Sequence, residues 1–476
     1  MARNLLIVIS DEHRRDAMGC MGHPVVQTPH LDALAARGTV FTNAYTPSPM
    51  CVPTRAALAT GQPVHRTGYW DSAHPYDGRV RSWMHALTTA GIETVSIGKL
   101  HFRDAADDTG FARQILPMHV VGGVGWTVGL LRRDPPPYDV AAELAQDVGI
   151  GESSYTAYDR AITAAAAEWL SAPPDRPWAA FVSLVSPHYP LTAPAAFHAL
   201  YDPADMPPPI GALPDHPEIG HLAAFFDYDR HFDPERMRAA KAAYFGLTSF
   251  MDACVGQILA ALEAGGQAED TVILYVSDHG EMLGDHGLWT KQVMYEASAG
   301  VPMILAGPGI PGGRSCATAA SLFDIAPTAA EVTGAPADPA WIGDSLLPLA
   351  RGADDPDRVA FSEYHDGGSS TGAFMIRWDR WKYVEYPGQA PQLFDLAADP
   401  DELADLAATA EAGPVLAEGA VRLREICDPE AVNARCFADQ AARIAALGGE
   451  TACREAYVFN HTPTPTEQAR LAGDLP

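Results

Sequence analysis

The sequence is short of positive charge and of cysteine. Its 476 residues include 32 lysines and arginines against 60 aspartates and glutamates, which gives a formal net charge of −28. This balance argues against a nucleic acid or an anionic membrane as partner, because most of the surface would repel either one. The seven cysteines are odd in number and contain no Cys-x-x-Cys pair, which argues against a disulfide framework and a zinc module.

Long apolar runs are missing as well. The apolar run from Leu5 to Ile9 is followed almost at once by charged residues and is too short for the core of a signal peptide. No apolar run is long enough to cross a bilayer. From these absences we expect a cytoplasmic protein with no membrane partner. The glycine cluster at 122–125 lacks the strand, turn and helix context of a dinucleotide site and is weak evidence for a nucleotide.

The apolar runs that are present predict two kinds of sheet. Apolar runs at 4–9, 93–97, 178–185 and 271–276 alternate with helical patterns, which is typical of buried parallel strands in an α/β fold, and the run at 301–305 predicts a further strand. After about residue 350, short strands alternate with turns, which indicates a small antiparallel sheet. We therefore predict a large domain over 1–350, a smaller one over 351–455 and an extended tail over 456–476.

Polar side chains follow four of these predicted strands. They are Asp11 and Glu12, Lys99 and His101, His188, and Asp278 and His279. In open α/β sheets, ligands bind at the carboxyl ends of the strands. Two strand ends rich in oxygen can hold one divalent cation, and the lysine and histidines can enter the same cleft. Taken singly, however, most of these residues would more often be ordinary loop residues.

The stretch from Ser48 to Gln62 carries a further candidate. In Cys51-Val52-Pro53-Thr54-Arg55 a thiol on a turn precedes an arginine by one helical turn, and an alanine-rich run then favours a helix. This spacing would aim Cys51 and Arg55 into one pocket, where the helix N-terminus offers amide donors to an anion. The alternative is a buried structural cysteine beside a surface arginine.

Together these motifs resemble those of the type I sulfatases of the alkaline phosphatase superfamily, in which the cysteine is oxidised to formylglycine. The resemblance covers nearly the whole chain, from the acidic pair to residues 277–281 and 287–291. It implies an alkaline phosphatase-like fold, in which helices sandwich a large mixed, mostly parallel sheet and a smaller antiparallel sheet follows. His279 stands where many members have asparagine, which is similar to the branch of choline sulfatase and the phosphonate monoester hydrolases.

The resemblance implies a metal site made by Asp11, Glu12, Cys51, Asp278 and His279. Glu12 departs from the aspartate that is usual in the family, so its ligation is less secure than that of Asp11. Carboxylates suit calcium, whereas an imidazole suits manganese or another transition ion. We expect one divalent cation and rank calcium slightly ahead of manganese.

The resemblance also implies the catalytic roles. The hydrated aldehyde formed from Cys51 would attack sulfur, and the charge on the transferred group would be balanced by Arg55, Lys99 and Lys291. His188 would protonate the departing alcohol or phenol. His101 would accept a proton as the hydrate collapses and releases sulfate.

Three functions follow as hypotheses. The first is hydrolysis of aryl or alkyl sulfate monoesters, the second is hydrolysis of phosphonate monoesters or phosphodiesters at the same site, and the third is a family member without catalysis. The first two take a small anionic ester as substrate and need a formylglycine-generating or other sulfatase-maturing enzyme. Rim segments at 104–153 and 203–232 would shape specificity, and their acidic character leaves a cationic substrate such as choline sulfate open. We expect a homo-oligomer, with the tail either reaching another subunit or fraying in solvent.

Overall fold

The centre of the protein is one large mixed sheet. The computed structural model describes residues 3–138, 140–352, 355–456 and 461–474. Within these residues the sheet has eight strands, which in spatial order are Arg314–Cys316, Gly38–Phe41, Met303–Ala306, Thr271–Ser277, Asn4–Asp11, Trp178–Pro187, Glu93–Lys99 and Arg113–Met118. Only Met303–Ala306 runs antiparallel to its neighbours among these described strands. The predicted mostly parallel sheet is confirmed.

The first strand shows why its sequence is continuously apolar. Leu5, Ile7 and Ile9 belong to the core on one face of the sheet, and Leu6 and Val8 belong to the core on the other face. A parallel strand covered on both faces has no solvent side, so polar alternation is lost.

Helices cover both faces of this sheet. The helices of the described residues up to 352 are Pro29–Ala36, Cys51–Thr60, Val64–Thr67, Trp83–Thr89, Ala141–Gln146, Ser154–Ser171, Ala195–His198, Pro217–Phe226, Pro234–Ala264, Glu296–Ala299, Ile325–Thr333 and Leu346–Arg351. Two further two-stranded pairs join Ala44–Tyr45 to Ala320–Ser321 and Gly149–Ile150 to Thr192–Ala193.

The longest helix is a core element. Pro234–Ala264 starts after Asp233, whose carboxylate accepts hydrogen bonds from the Glu235 and Arg236 amides. By length and composition it is the one described helix that could cross a membrane, yet 78% of its most apolar window is buried inside the protein. It packs against the Ser154–Ser171 helix and the Trp178–Pro187 strand.

A second, smaller sheet follows, as predicted. Its four described strands, Ala360–Tyr364, Ala373–Trp378, Trp381–Glu385 and Gln392–Asp395, are antiparallel throughout. Later described helices are Gly413–Ile426, Pro429–Ala446, Glu450–Glu455 and Pro465–Asp474. The change of pattern near residue 350 therefore marks a real change of architecture, while the domain boundaries themselves stay a prediction.

A buried lysine fastens the small sheet to the large unit. Lys382 is fully buried, and its Nζ lies 2.8 Å from both the Met294 carbonyl and Glu402 Oε1. The same Nζ lies 2.5 Å from Glu296 Oε1, and Glu296 also pairs with Arg15. Losing one member of such a group would leave the others charged and buried, which is strongly destabilising.

Two predicted rim segments turn out to hold regular structure. The rim segment at 104–153 contains Arg113–Met118, which forms the outermost strand of the large sheet and so belongs to the scaffold. This strand is only partly buried and carries Arg113 and Gln114, so the apolar signature of its neighbours is missing. In the second segment, His216 caps the helix Pro217–Phe226, with proline at its first position.

The predicted tail over 456–476 is only partly described. Residues 457–460 lie outside the described residues. The part from His461 to Asp474 contains the helix Pro465–Asp474, which packs against the Arg113–Met118 strand of the same chain.

Candidate active site

Four adjacent parallel strands bring the predicted site residues to one edge of the large sheet. These strands are Thr271–Ser277, Asn4–Asp11, Trp178–Pro187 and Glu93–Lys99, in that spatial order. Because they are parallel neighbours, their carboxyl ends share one edge. The helix Cys51–Thr60 begins at the same edge and is buried along its length. Sheet topology and one helix start therefore place most of the site, and Lys291 is added by the irregular segment before the helix Glu296–Ala299.

Four of the five predicted metal ligands form a compact group. Ligand atoms of Asp11, Cys51, Asp278 and His279 all lie within 4.8 Å of one another, and all four residues are buried. Cys51 Sγ lies 3.0 Å from His279 Nε2 and 3.6 Å from Asp11 Oδ1. Glu12 is not part of this group, and its role as a ligand stays a prediction.

The imidazole of His279 is oriented as a metal ligand needs. Its Nδ1 lies 3.0 Å from the Gly280 carbonyl, which can only accept, so Nδ1 carries the proton. The lone pair of Nε2 then points towards Cys51 Sγ and the Oδ1 atoms of Asp11 and Asp278, at 3.0, 3.8 and 3.6 Å. A ligating histidine held through its other nitrogen by a backbone carbonyl is the usual arrangement at metal sites. The donor set of two carboxylates and one free imidazole nitrogen fits a divalent cation.

Arg55 holds both carboxylates of this group. Its Nη2 donates to Asp11 Oδ2 at 3.0 Å and its Nε donates to Asp278 Oδ2 at 2.9 Å. Its Nη1 donates to the Lys99 carbonyl and the Ser183 hydroxyl. Because Arg55 binds the Oδ2 atom of each aspartate, the Oδ1 atoms of both aspartates remain directed at the ligand group.

Lys99 and His101 lie next to this carboxylate pair. Lys99 Nζ is fully buried, 2.6 Å from Asp11 Oδ2. Neither ring nitrogen of His101 has a hydrogen-bond partner among the described residues, although both are buried. His101 also has a φ of +53°, which is costly for a residue other than glycine and common at functional sites.

A second group joins Glu12, His188 and Lys291. Lys291 Nζ lies 2.9 Å from Glu12 Oε2 and 3.0 Å from His188 Nε2, and His188 Nε2 lies 3.2 Å from Glu12 Oε2. His188 Nδ1 lies 2.6 Å from the Tyr189 carbonyl and therefore carries a proton. In the neutral ring, Nε2 thus accepts a hydrogen bond from Lys291. The proton nearest this part of the pocket sits on Lys291.

Burial and charge set the protonation of these groups. Burial opposes the charge of Asp11, but the cations Lys99 and Arg55 hold its pKa well below the usual range. Burial raises the pKa of Glu12 to about 8, although Lys291 counteracts this. Burial also raises the pKa of the Cys51 thiol, with the charge of Asp11 adding to the effect. Burial and the neighbouring lysines Lys99 and Lys291 hold the pKa values of His101 and His188 well below that of free histidine.

An aromatic pocket opens over this group. Cys51, His101, His188 and Lys291 line it. Five aromatic side chains also line it, and we call them the aromatic wall: Trp126, Tyr138, Tyr155, Tyr189 and Phe226. We call the ten predicted site residues beneath it the strand-end cluster: Asp11, Glu12, Cys51, Arg55, Lys99, His101, His188, Asp278, His279 and Lys291. The structure brings all ten together at this edge.

Sequence reasoning missed several lining residues. Tyr189 and Gln292 directly follow His188 and Lys291, so adjacency to a motif was the only available signal. Gln292 Oε1 accepts hydrogen bonds from the Lys291 amide at 2.9 Å and the Thr290 hydroxyl at 2.8 Å, which fixes the turn that presents Lys291. Within the rim segment at 203–232, Phe226 lines the pocket, whereas Phe232 stacks on Trp289 with ring centroids 3.6 Å apart.

The chain is similar in sequence and in structure to known proteins. The family model described as Sulfatase matches residues 3–335, and the model described as N-sulphoglucosamine sulphohydrolase, C-terminal, matches residues 284–428. The choline-sulfatase of Rhizobium meliloti is 34% identical over 439 residues, covering 87% of this chain and 83% of its own length. The arylsulfatase K of Danio rerio is 30% identical over 433 residues, covering 85% and 80%. The crystal structure of the phosphonate monoester hydrolase of Agrobacterium radiobacter superposes with a TM-score of 0.73 at 26% identity, covering 89% of this chain and 95% of that chain.

Proposed function

The chain belongs to the sulfatase family and hydrolyses sulfate monoesters, and we propose that it acts on small esters whose leaving group is enclosed by the aromatic wall. One observation carries the proposal. The compact group of Asp11, Cys51, Asp278 and His279 lies at the base of a pocket lined by aromatic side chains. Such a pocket offers a charged end for the sulfate and an apolar end for the alcohol portion.

Position 51 supplies the nucleophile in this proposal. Cys51 would be converted to formylglycine by a maturing enzyme, and Asp11, Asp278 and His279 would hold one divalent cation beside it. When bound, the cation would supply the Lewis acidity that acidifies the attacking oxygen and neutralises the ester. The prior oxidation of Cys51 is tested by mass spectrometry of the peptide that contains it, where an intact thiol in protein from a competent host would contradict the proposal.

The remaining residues of the strand-end cluster manage charge and protons. Arg55 fixes the two aspartates, and Lys99 neutralises Asp11. Lys291 faces the pocket with a proton that His188 Nε2 accepts as a hydrogen bond. We assign the proton for the departing alcohol to this Lys291–His188 pair, because His188 Nδ1–H is committed to the Tyr189 carbonyl. His101, with both nitrogens unpartnered among the described residues, is free to hold the second proton.

The aromatic wall favours an apolar or quaternary ammonium leaving group. Three of its rings contact one another, with centroids 6.0 Å apart for Trp126 and Tyr138, 5.2 Å for Tyr138 and Phe226 and 6.5 Å for Trp126 and Phe226. Clustered aromatic faces attract quaternary ammonium groups through cation–π interactions. Since a choline-sulfatase is among the relatives, choline sulfate is the substrate we rank first.

The metal is tested without reference to turnover. Carboxylates favour calcium and the His279 imidazole favours manganese, and we keep calcium slightly ahead. Thermal unfolding of chelated protein would be followed with each ion added alone. We expect calcium to raise the midpoint at lower concentration than manganese, and the reverse order would make manganese the resident ion.

A phosphonate monoester is the second candidate substrate. The similarity to the phosphonate monoester hydrolase of Agrobacterium radiobacter favours it, because the two chains superpose over most of their lengths. The deciding experiment compares kcat/KM for choline sulfate, p-nitrophenyl sulfate and p-nitrophenyl phenylphosphonate. We expect a sulfate ester to be preferred, and a much larger value for the phosphonate would overturn that order.

A homo-oligomer also stays part of the proposal. All ten residues of the strand-end cluster meet within one chain, and we propose that activity does not require the assembly. Light scattering of the purified protein, paired with activity at each dilution, would test both points.

A further inference from the structure

The C-terminal segment of the chain returns to the active-site pocket. His461 and Thr462 line the same pocket as Cys51, His188 and Lys291, although more than 160 positions separate them from Lys291 in the sequence. We call residues 461–474 the tail segment. Neither the motifs nor the metal group account for its presence there.

Tyr155 connects the tail segment to the catalytic residues. Its hydroxyl donates to the Thr462 carbonyl at 2.8 Å. Its ring meets the His461 ring edge-on at a centroid distance of 4.9 Å and the His188 ring at 5.7 Å. Tyr155 is 1% exposed, so this contact is inside the protein rather than at its surface. The ring of Tyr155 therefore contacts both the tail segment and His188.

The tail segment is anchored outside the pocket as well. Gln468 Nε2 donates to the His119 carbonyl at 3.1 Å and the Pro463 carbonyl at 2.9 Å. Within the tail segment itself, Glu467 Oε2 accepts hydrogen bonds from the amide and the hydroxyl of Thr464, both at 2.8 Å, so the bond to His119 is the one that ties the segment to the rest of the protein. The helix Pro465–Asp474 has ten residues and would be marginal alone in water, so its order depends on docking against the large sheet.

His461 presents a ring rather than a charge to the pocket. Burial lowers its pKa, although the charges of Glu467 and Asp147 oppose this. Its Nδ1 is buried and has no hydrogen-bond partner within the described part of the chain. A neutral imidazole in this position acts as a further wall of the leaving-group site.

We propose that His461, held by Tyr155 and by the Gln468 anchor, is a specificity-determining residue that limits the size of the leaving group the pocket accepts. The proposal rests on the sulfate-ester function proposed above. Without the tail segment, the pocket would be open beside Tyr155 and would admit larger esters. When the tail segment is docked, bulky esters lose affinity because His461 is held at two separate points, by Tyr155 and by the Gln468 anchor.

The test compares two esters of different size in full-length variants. His461→Ala should raise kcat/KM for 4-methylumbelliferyl sulfate relative to that for p-nitrophenyl sulfate by about tenfold, the range in which pocket shape discriminates. Gln468 does not line the pocket. Gln468→Ala should shift the same ratio in the same direction by about threefold, since a loosely held His461 discriminates less between esters of different size. The matched control is Arg470→Ala, an exposed residue on the same helix, which should leave the ratio unchanged.

Some outcomes would overturn the proposal. An unchanged ratio in His461→Ala, or an equal fall for both esters, would show that His461 is not a size filter. A shift in His461→Ala without any shift in Gln468→Ala would remove the anchor from the proposal.

A second measurement does not depend on turnover. Amide hydrogen exchange of the wild-type protein should be slowed by about tenfold or more over the helix Pro465–Asp474, and Gln468→Ala should reverse much of this protection. Exchange at the rate of an unfolded chain would overturn the docking. If the wild type hydrolyses neither sulfate ester, the proposed function fails, and the size comparison is then made with the dissociation constants of the two esters.

Discussion

The strand-end cluster and the aromatic wall are built in different ways. The cluster comes from four adjacent strand ends, one helix start and the irregular segment that carries Lys291, and its members are joined by hydrogen bonds and close polar contacts of 2.6 to 3.2 Å. The wall comes from loops and helix ends, and its contacting rings meet at 5.2 to 6.5 Å. Directional bonds fix the position of atoms, whereas ring contacts fix a volume. We expect the cluster to determine the reaction and the wall to determine which ester reaches it.

Replacing the nucleophile is the strongest test of this division. Cys51→Ala should lower kcat by at least about 10⁴-fold for every ester, because no other group of the cluster can replace the attacking oxygen. Cys254→Ala is the matched control, since Cys254 is also buried but lies in the core beneath the sheet. Initial rates with p-nitrophenyl sulfate and choline sulfate would check this. Full turnover by Cys51→Ala would break the comparison.

Removing the cation comes next. Exhaustive chelation should lower kcat/KM by about 10³-fold for small and bulky esters alike, because the charge stabilisation at the sulfate end is common to both. Metal content measured on the same sample gives the reference, and added calcium or manganese should restore activity. A metal-free sample with unchanged rates would contradict the assigned role of Asp11, Asp278 and His279.

A smaller loss is expected from Arg55→Lys. Lysine keeps the charge but cannot hold Asp11 and Asp278 together through two nitrogens, and misplacing a catalytic group by about 1 Å can cost about 10²-fold. We expect kcat/KM to fall by about that factor equally for all esters. Arg66→Lys, at an exposed position of the next helix, should have no effect. A loss confined to one ester would assign Arg55 to specificity instead.

The smallest and most selective effect should come from the aromatic wall. Trp126→Ala should reduce kcat/KM for choline sulfate by about tenfold through the lost cation–π contact, with a change of less than about threefold for p-nitrophenyl sulfate. Trp126→Phe should retain most of the choline sulfate activity. Equal losses for both esters in Trp126→Ala would show that the aromatic wall does not discriminate between substrates. The wall and the strand-end cluster would then affect all esters in the same way.

The sequence predicted the strand-end cluster far better than the wall, for physical reasons. Asp11, Lys99, His188 and Asp278 each follow a continuous apolar run, so parallel topology alone brings them together. Tyr138 and Tyr155 follow no such rule, because loop paths and helix docking depend on tertiary contacts that leave no local pattern. The edge strand Arg113–Met118 was missed since one exposed side removes the continuous apolar signal.

Some details of the strand-end cluster could not be predicted from the sequence either. His188 donates its Nδ1 proton to the Tyr189 carbonyl, so Lys291 is the group that presents a proton to the leaving alcohol. The tautomer of a histidine cannot be predicted from a sequence motif. Glu12 has a backbone φ of +66°, and its carboxylate lies beside Lys291 and His188, with an oxygen within 4.8 Å of an Asp11 carboxylate oxygen. Whether it also ligates the cation stays a prediction.

Through Lys382, the smaller sheet helps to hold the segment that carries the active-site residue Lys291. Lys382 holds the Met294 carbonyl and Glu296, which follow Lys291 within the same short segment. A substitution or temperature that loosens the strand Trp381–Glu385 would release this segment and displace Lys291 while the large sheet is still folded. The upper temperature limit for activity is therefore expected to follow the melting of the C-terminal sheet, and heat inactivation should precede loss of the parallel core.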